Sequence, residues 1–116
     1  MPKRNRYLPL HHMLDHAREA VTLTQGKSRA DLEHERLLEL ALVRLLEVIG
    51  EAASRVPDED CARYAEIPWP QIVGLRNRLI HGYDAVDMDI LWQIIEYDLP
   101  PLIAALEAIL SQEEPG

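Results

Sequence analysis

The chain has 116 residues, 47% apolar and 28% charged, the balance of one globular domain around one core rather than of a disordered chain. The single cysteine, Cys61, excludes an internal disulfide and any multi-cysteine zinc site, and no apolar run reaches the ~18 residues of a membrane span. A net charge of −8 counts against a broad electrostatic footprint for nucleic acid.

Almost every segment reads as helix, cut into four or five pieces by prolines and glycines. Leu10, Met13, Leu14, Ala17, Ala20 and Val21 keep the spacing of a first helix with one apolar face. Pro9 is expected in its first turn and Thr24-Gln25-Gly26 at its end. Asp31 is expected to cap a second, longer helix running to about Arg55. Its apolar positions, from Leu37 and Leu38 to Ala52 and Ala53, cover more than one face, so it is central or also faces a partner chain.

Pro57 closes that helix, and Asp58 to Tyr64 are read as a short helical connection. Pro68-Trp69-Pro70 opens the next helix, predicted to continue to about His81 and stop at Gly82. Asp87 caps the last one, with Ile90, Leu91, Ile94 and Ile95 inward. Asp98-Leu99-Pro100-Pro101 is expected to break or kink it, Asp98 capping a second half through Leu110. No alternating stretch suggests a strand. The expected fold is an all-α, antiparallel, up-and-down bundle of four to five helices, one domain over 1–116 with its core at about 8–111.

The charge is unevenly placed. All Lys and Arg residues lie at or before Arg78, and the last 38 residues carry eight acids and no base. A polyanion would therefore bind locally, near Lys3, Arg4 and Arg6 or near Arg76 and Arg78.

The second of these regions, Gly74 to Tyr83, carries the chemistry. On a helical projection Ile72, Val73, Leu75, Leu79 and Ile80 form a core side, while Gly74, Asn77, Arg78 and His81 fall opposite. Asn77 and His81 stand at i,i+4, and Arg78 and His81 at i,i+3. Arg76 projects into the apolar face and needs a partner there, Glu47 or Glu51. Gly82 frees the backbone so that Tyr83 can turn back toward the histidine. A His–Arg pair suits transesterification of a phosphodiester beside a 2′-hydroxyl. The imidazole moves protons near neutral pH, and the guanidinium stabilises the phosphorane. One histidine serves one role at a time, so a two-fold dimer bringing in a second His81 is expected.

Arg76 to His81 and Tyr83, as R-x4-H-x-Y, resembles the signature of HepT-like (DUF86) HEPN-domain proteins. Leu46-Glu47-Val48-Ile49-Gly50-Glu51-Ala52-Ala53, Glu66-Ile67-Pro68-Trp69 and Asp98-Leu99-Pro100-Pro101-Leu102 resemble further family landmarks, in family order. Together they span roughly residues 10 to 110. Leu45 departs from the pattern, where many relatives carry a polar residue after the arginine matching Arg44. The resemblance implies the toxin of a type VII-like toxin–antitoxin module, a homodimeric bundle with metal-independent ribonuclease activity and no cofactor. It assigns Arg76 and His81 to catalysis, with Asn77 as the adjacent polar residue. It also implies an MNT-type nucleotidyltransferase antitoxin that silences the toxin by transferring AMP to Tyr83.

Plainer readings stand beside these. His81 is also a histidine that a helix C-terminus favours, Arg76 a structural ion pair with catalysis left to Arg78, and Tyr83 a packing residue. Trp69 and Trp92 read as core or interface rather than base-stacking platforms. His12 and His16, with Asp15 and Glu19, read as a solvated face rather than a metal site. Cys61 lies between acids, which raise a thiol pKa and disfavour a nucleophile. The competing function is a non-catalytic HEPN module that binds, or is modified by, a nucleotidyltransferase. A cytoplasmic location is expected, because the basic N-terminus lacks the apolar run of a signal peptide.

Overall fold

A computed structural model of the protein describes residues 3–83 and 85–114, and the side chains from Arg6 onward within them. Among the described residues the fold is all-α, as the periodicity predicts, with one hairpin of two-residue strands. Helix α1 (Lys3–Leu23) packs on α3 (Arg36–Ser54) and on α8 (Leu99–Glu113). Tyr7 meets Glu113 while Arg18 meets Glu107, so α1 and α8 run antiparallel. The buried core draws on every layer: Leu10, Met13 and Ala17 of α1, Leu42, Leu46 and Ile49 of α3, and Leu102 and Leu106 of α8. No helix among the described residues is long and apolar enough to cross a membrane.

Pro9 is not in the first turn of α1 but inside it, because the helix begins at Lys3. The missing N–H forfeits one bond near the helix start, tolerable in a 21-residue helix clamped along two neighbours. The single long helix expected from Asp31 is two, α2 (Arg29–His34) and α3, broken at Glu35. Ser28 is the N-cap, and Asp31 sits three residues on, its carboxylate accepting the Ser28 N–H at 2.7 Å. That bond holds the Asp31 carboxyl below its ordinary value. Lys27 Nζ reaches back to the Glu35 carboxylate at 3.0 Å across the break.

The connection is α4 (Asp58–Arg63), as expected. Around it lies a polar network. Arg6 donates to both oxygens of buried Asp60, at 2.6 and 3.3 Å, so this arginine of the expected basic N-terminal site is occupied within the fold. The side chains of Lys3 and Arg4 lie outside the described residues. Glu113 takes Arg63 Nη2 at 2.8 Å and the Tyr7 hydroxyl at 3.2 Å. Among the described residues the buried hydroxyl of its neighbour Tyr64 meets no hydrogen-bond partner. Burial, and then nearby Glu113, push that phenol up to about 12. A buried donor without a partner is a standing cost. Tyr64→Phe should therefore leave stability unchanged or raise it by about 1 kcal/mol, and a drop in melting temperature would show that the hydroxyl is satisfied.

The last helical stretch does not break at its prolines. Asp87 caps α7 (Met88–Gln93), accepting the Ile90 N–H at 3.1 Å as predicted. Leu91, Ile94 and Ile95 are buried, and Ile90 packs partly exposed against the core. The chain then widens into a π-turn (Ile94–Asp98), in which the Leu99 N–H reaches the Ile94 carbonyl, before α8 continues. Pro100 and Pro101 offer no N–H to the preceding turn, and a wider turn is one way a helix absorbs that loss. Asp98 makes no side-chain cap here.

Candidate active site

The helix expected over Pro68 to His81 is also divided. Pro68 precedes α5 (Trp69–Val73), and the Trp69 indole N–H donates to the Tyr64 carbonyl at 3.0 Å, anchoring the helix start in the core. Gly74 then separates α5 from α6 (Leu75–Leu79). Leu75 and Leu79 are fully buried and fix α6 to the core, which leaves Arg76 and Asn77 exposed and Arg78 half-buried. Arg76 does not point into the apolar face: the turn at Gly74 swings it outward. Its Nε donates to Glu47 Oε2 on α3 at 3.0 Å, one of the two partners expected. The other candidate, Glu51, pairs with Arg55. Val73, assigned to the core side, is exposed, and Ile80 is half-buried.

After Leu79 the backbone becomes extended. Strand β1 (Ile80–His81) pairs antiparallel with β2 (Ala85–Val86), Ile80 opposite Val86 and His81 opposite Ala85. Gly82 takes a φ of +67°, which favours glycine, and Asp84 of the connecting loop lies outside the described residues. The Asp87 N–H donates to the Leu79 carbonyl at 2.8 Å, ending α6 from beyond the hairpin. His81 is therefore a hairpin residue and not a helix C-terminal one. The i,i+3 and i,i+4 convergence of Arg78, Asn77 and His81 does not form, and the dipole reading of His81 falls with it.

Three basic side chains each meet a different carboxylate. Besides Arg76 with Glu47, Arg78 Nη1 lies 3.1 Å from Asp98 Oδ2, and His81 Nε2 lies 3.3 Å from Asp87 Oδ2. No hydrogen bond or ion pair among the described residues joins Arg76, Asn77, Arg78 and His81 to one another. Asp87 divides its carboxylate between two tasks, Oδ1 capping α7 and Oδ2 facing the imidazole. The Ile90 N–H, and then His81, hold its carboxyl below the ordinary range. Sequence reasoning placed Asp87 and Asp98 as caps and missed their second roles. The available signal was an acid six residues beyond His81, across a glycine able to reverse the chain.

Tyr83 is 97% exposed, and its phenol bonds to neither His81 nor the arginines. Trp69 is core, as expected, and Trp92 packs against the core. The His12 and His16 rings lie 6.3 Å apart, edge to face, with His16 Nδ1 at the His12 carbonyl. Burial, and then Asp58 and Asp60, raise the Cys61 thiol pKa, against a nucleophile. Leu45, the departure from the pattern, is buried and fills the core.

A family model described as Ribonuclease HepT-like matches residues 13–109. Among curated proteins the chain is 31% identical over 114 residues to a provisionally named RNase of Methanocaldococcus jannaschii, covering 98% of this chain and 94% of that protein. It is 34% identical over 105 residues to another provisionally named RNase, from Caldanaerobacter subterraneus, covering 90% and 94%. It is 32% identical over 100 residues to a protein of Thermococcus cleftensis provisionally named ribonuclease HepT, covering 83% and 91%. No solved structure matches it.

Proposed function

Since the chain belongs to the HepT-like ribonuclease family, we propose that it cleaves RNA without a metal ion, at a site built on Arg76 and His81 and completed by a two-fold dimer. The observation that carries this reading is the exposed His81 with Nε2 against Asp87. In the neutral ring, an Nε2–H held there leaves Nδ1 as the nitrogen able to take the 2′-hydroxyl proton. Arg76 and Arg78 stabilise the phosphorane, exchanging Glu47 and Asp98 for phosphate oxygens, and Asn77 supplies an adjacent polar contact. Metal-free cleavage by the wild type, lost in His81→Ala, tests the assignment.

The dimer rests on α3. Leu37 is 82% exposed, Leu40 is exposed one turn further along α3, and exposed Val73 lines the cleft that holds Arg76 and Glu47. An interface here buries at least ~1,000 Å² and brings a second His81 to the site.

The same family reading supports a toxin role, with a nucleotidyltransferase as antitoxin. Tyr83 offers a modifying enzyme a fully exposed phenol beside a glycine turn. An AMP attached there adds a phosphate near Arg76, Arg78 and His81, occupying the place of substrate and repelling RNA. Tyr83→Phe should keep cleavage and toxicity but escape silencing by the co-expressed partner. Mass spectrometry of the wild type from the same cells should find AMP on Tyr83. Silencing of Tyr83→Phe would mean sequestration instead.

The pairing of each basic group with a carboxylate also favours a second reading, a non-catalytic module that binds the nucleotidyltransferase. No cleavage by unmodified protein selects it.

A further inference from the structure

Behind Arg78, away from Arg76, lies a groove of about 490 Å³ between α5 with the loop before it and the π-turn with α8. Its floor is apolar, with buried Ile67, Ile72 and Leu102. Tyr97, 72% exposed, stands on its lining, and Glu66, exposed Gln71 and the Arg78–Asp98 pair supply the polar groups. Glu66 is exposed and forms no ion pair among the described residues.

We propose that this groove binds one unstacked nucleobase of a single-stranded RNA, a base carrying an exocyclic amino group (adenine, guanine or cytosine) in preference to uracil. The proposal rests on the reading of the chain as an RNA-cleaving protein. Three features select this occupant. A flat ring stacks on a free tyrosine over an apolar floor, as in single-strand binding generally. The two carboxylates, Glu66 and Asp98, repel phosphate and accept from amino groups, so the base enters while the backbone stays outside. Arg78 borders the groove and is the residue assigned above to a phosphate oxygen, so a strand whose phosphate meets Arg78 has its adjoining nucleotide at the groove mouth. An acidic protein thereby holds RNA by its bases more than by its charge, which accords with the net charge of −8.

The test uses the full chain and 2′-O-methyl hexanucleotides of A, C or U, which lack the nucleophilic hydroxyl, with binding read by fluorescence anisotropy. The A and C hexamers should bind more tightly than the U hexamer. Tyr97→Ala should weaken binding of the A and C hexamers about tenfold, while Tyr97→Phe, which keeps the ring, should retain it. Glu66→Gln, whose amide can also donate to uracil, should narrow a preference of about fivefold for amino-bearing bases. Both side chains are exposed, so melting temperatures should not move. Absence of hexamer binding by the wild type, or binding unchanged in Tyr97→Ala and Glu66→Gln, overturns the groove assignment whatever the cleavage assay finds. Loss of association with a partner protein in Tyr97→Ala, with oligonucleotide binding intact, overturns it too. Weakened binding in these variants, in a protein that never cleaves RNA, supports the groove and removes the nuclease reading alone.

Discussion

His81→Ala should lower RNA cleavage in EDTA by about a hundred- to ten-thousandfold, the range that a positioned acid–base group contributes. Its side chain is 60% exposed on a two-residue strand, so the fold should not register the loss. The chemistry also dictates the product. Attack by a neighbouring 2′-oxygen leaves a 2′,3′-cyclic phosphate, so a DNA strand of the same sequence should be inert. Asp87 adds a graded control. Asn keeps the cap but turns its amide N–H toward Nε2, which selects the tautomer with the proton on Nδ1, whereas Ser keeps only the cap and leaves the ring free. Activity should therefore fall in both variants, and further in Asn than in Ser, while melting temperature stays level. Cleavage surviving in His81→Ala, or ends without the cyclic phosphate, would remove the histidine from the mechanism.

Gly50→Leu should lower the melting temperature by roughly 10 °C, the equivalent of the 1–3 kcal/mol that overpacking costs. A Cβ at Gly50 would meet the Ile72 carbonyl oxygen at 3.0 Å and that of Val73 at 3.3 Å. Backbone stands there, not a side chain able to rotate away. Gly50→Ala should cost less, because it adds the Cβ alone, while either variant recovers most of the helix propensity that glycine forgoes, about 1 kcal/mol. Any relief moves α5 away from α3 and draws Arg76 from Glu47, so activity should fall together with stability. Unchanged melting in Gly50→Leu would mean that α5 yields freely, and that α3 does not set the position of the motif.

These two residues mark what the amino-acid pattern discloses and what it conceals. Helical periodicity identified the elements and most of the core, because burial repeats along each face. Pro57 and Asp87 marked their boundaries, since a missing donor and a short acceptor act locally. The motif was legible as residues, and Glu47 was named among the partners of Arg76. Its shape was not. A helix drawn through Gly74 to His81 turns Arg76 inward and gathers Asn77, Arg78 and His81 on one face. The break at Gly74 comes just after the Ile72 and Val73 carbonyls close on α3 at Gly50, a contact far away in the chain. The hairpin depends on the Leu79 carbonyl finding a donor at Asp87, beyond the loop. Likewise Asp98 read as a cap because its pull toward Arg78 is tertiary. Local rules failed where distant segments supplied the missing bonds.

The π-turn makes the chain's length at that point matter as much as its composition. One residue more than a regular helix needs lies between Ile94 and Asp98. Deleting one of them would close the turn to an ordinary α-helix, and because five residues of a π-turn rotate the chain about as far as four of an α-helix, α7 and α8 would keep their faces. What the deletion takes away is the bulge, and with it the direction of the Asp98 carboxylate toward Arg78. A deletion inside α8 has no spare residue to draw on and turns all that follows by about 100°. Single deletions across the π-turn should therefore spare the melting temperature and be felt at the Arg78–Asp98 pair.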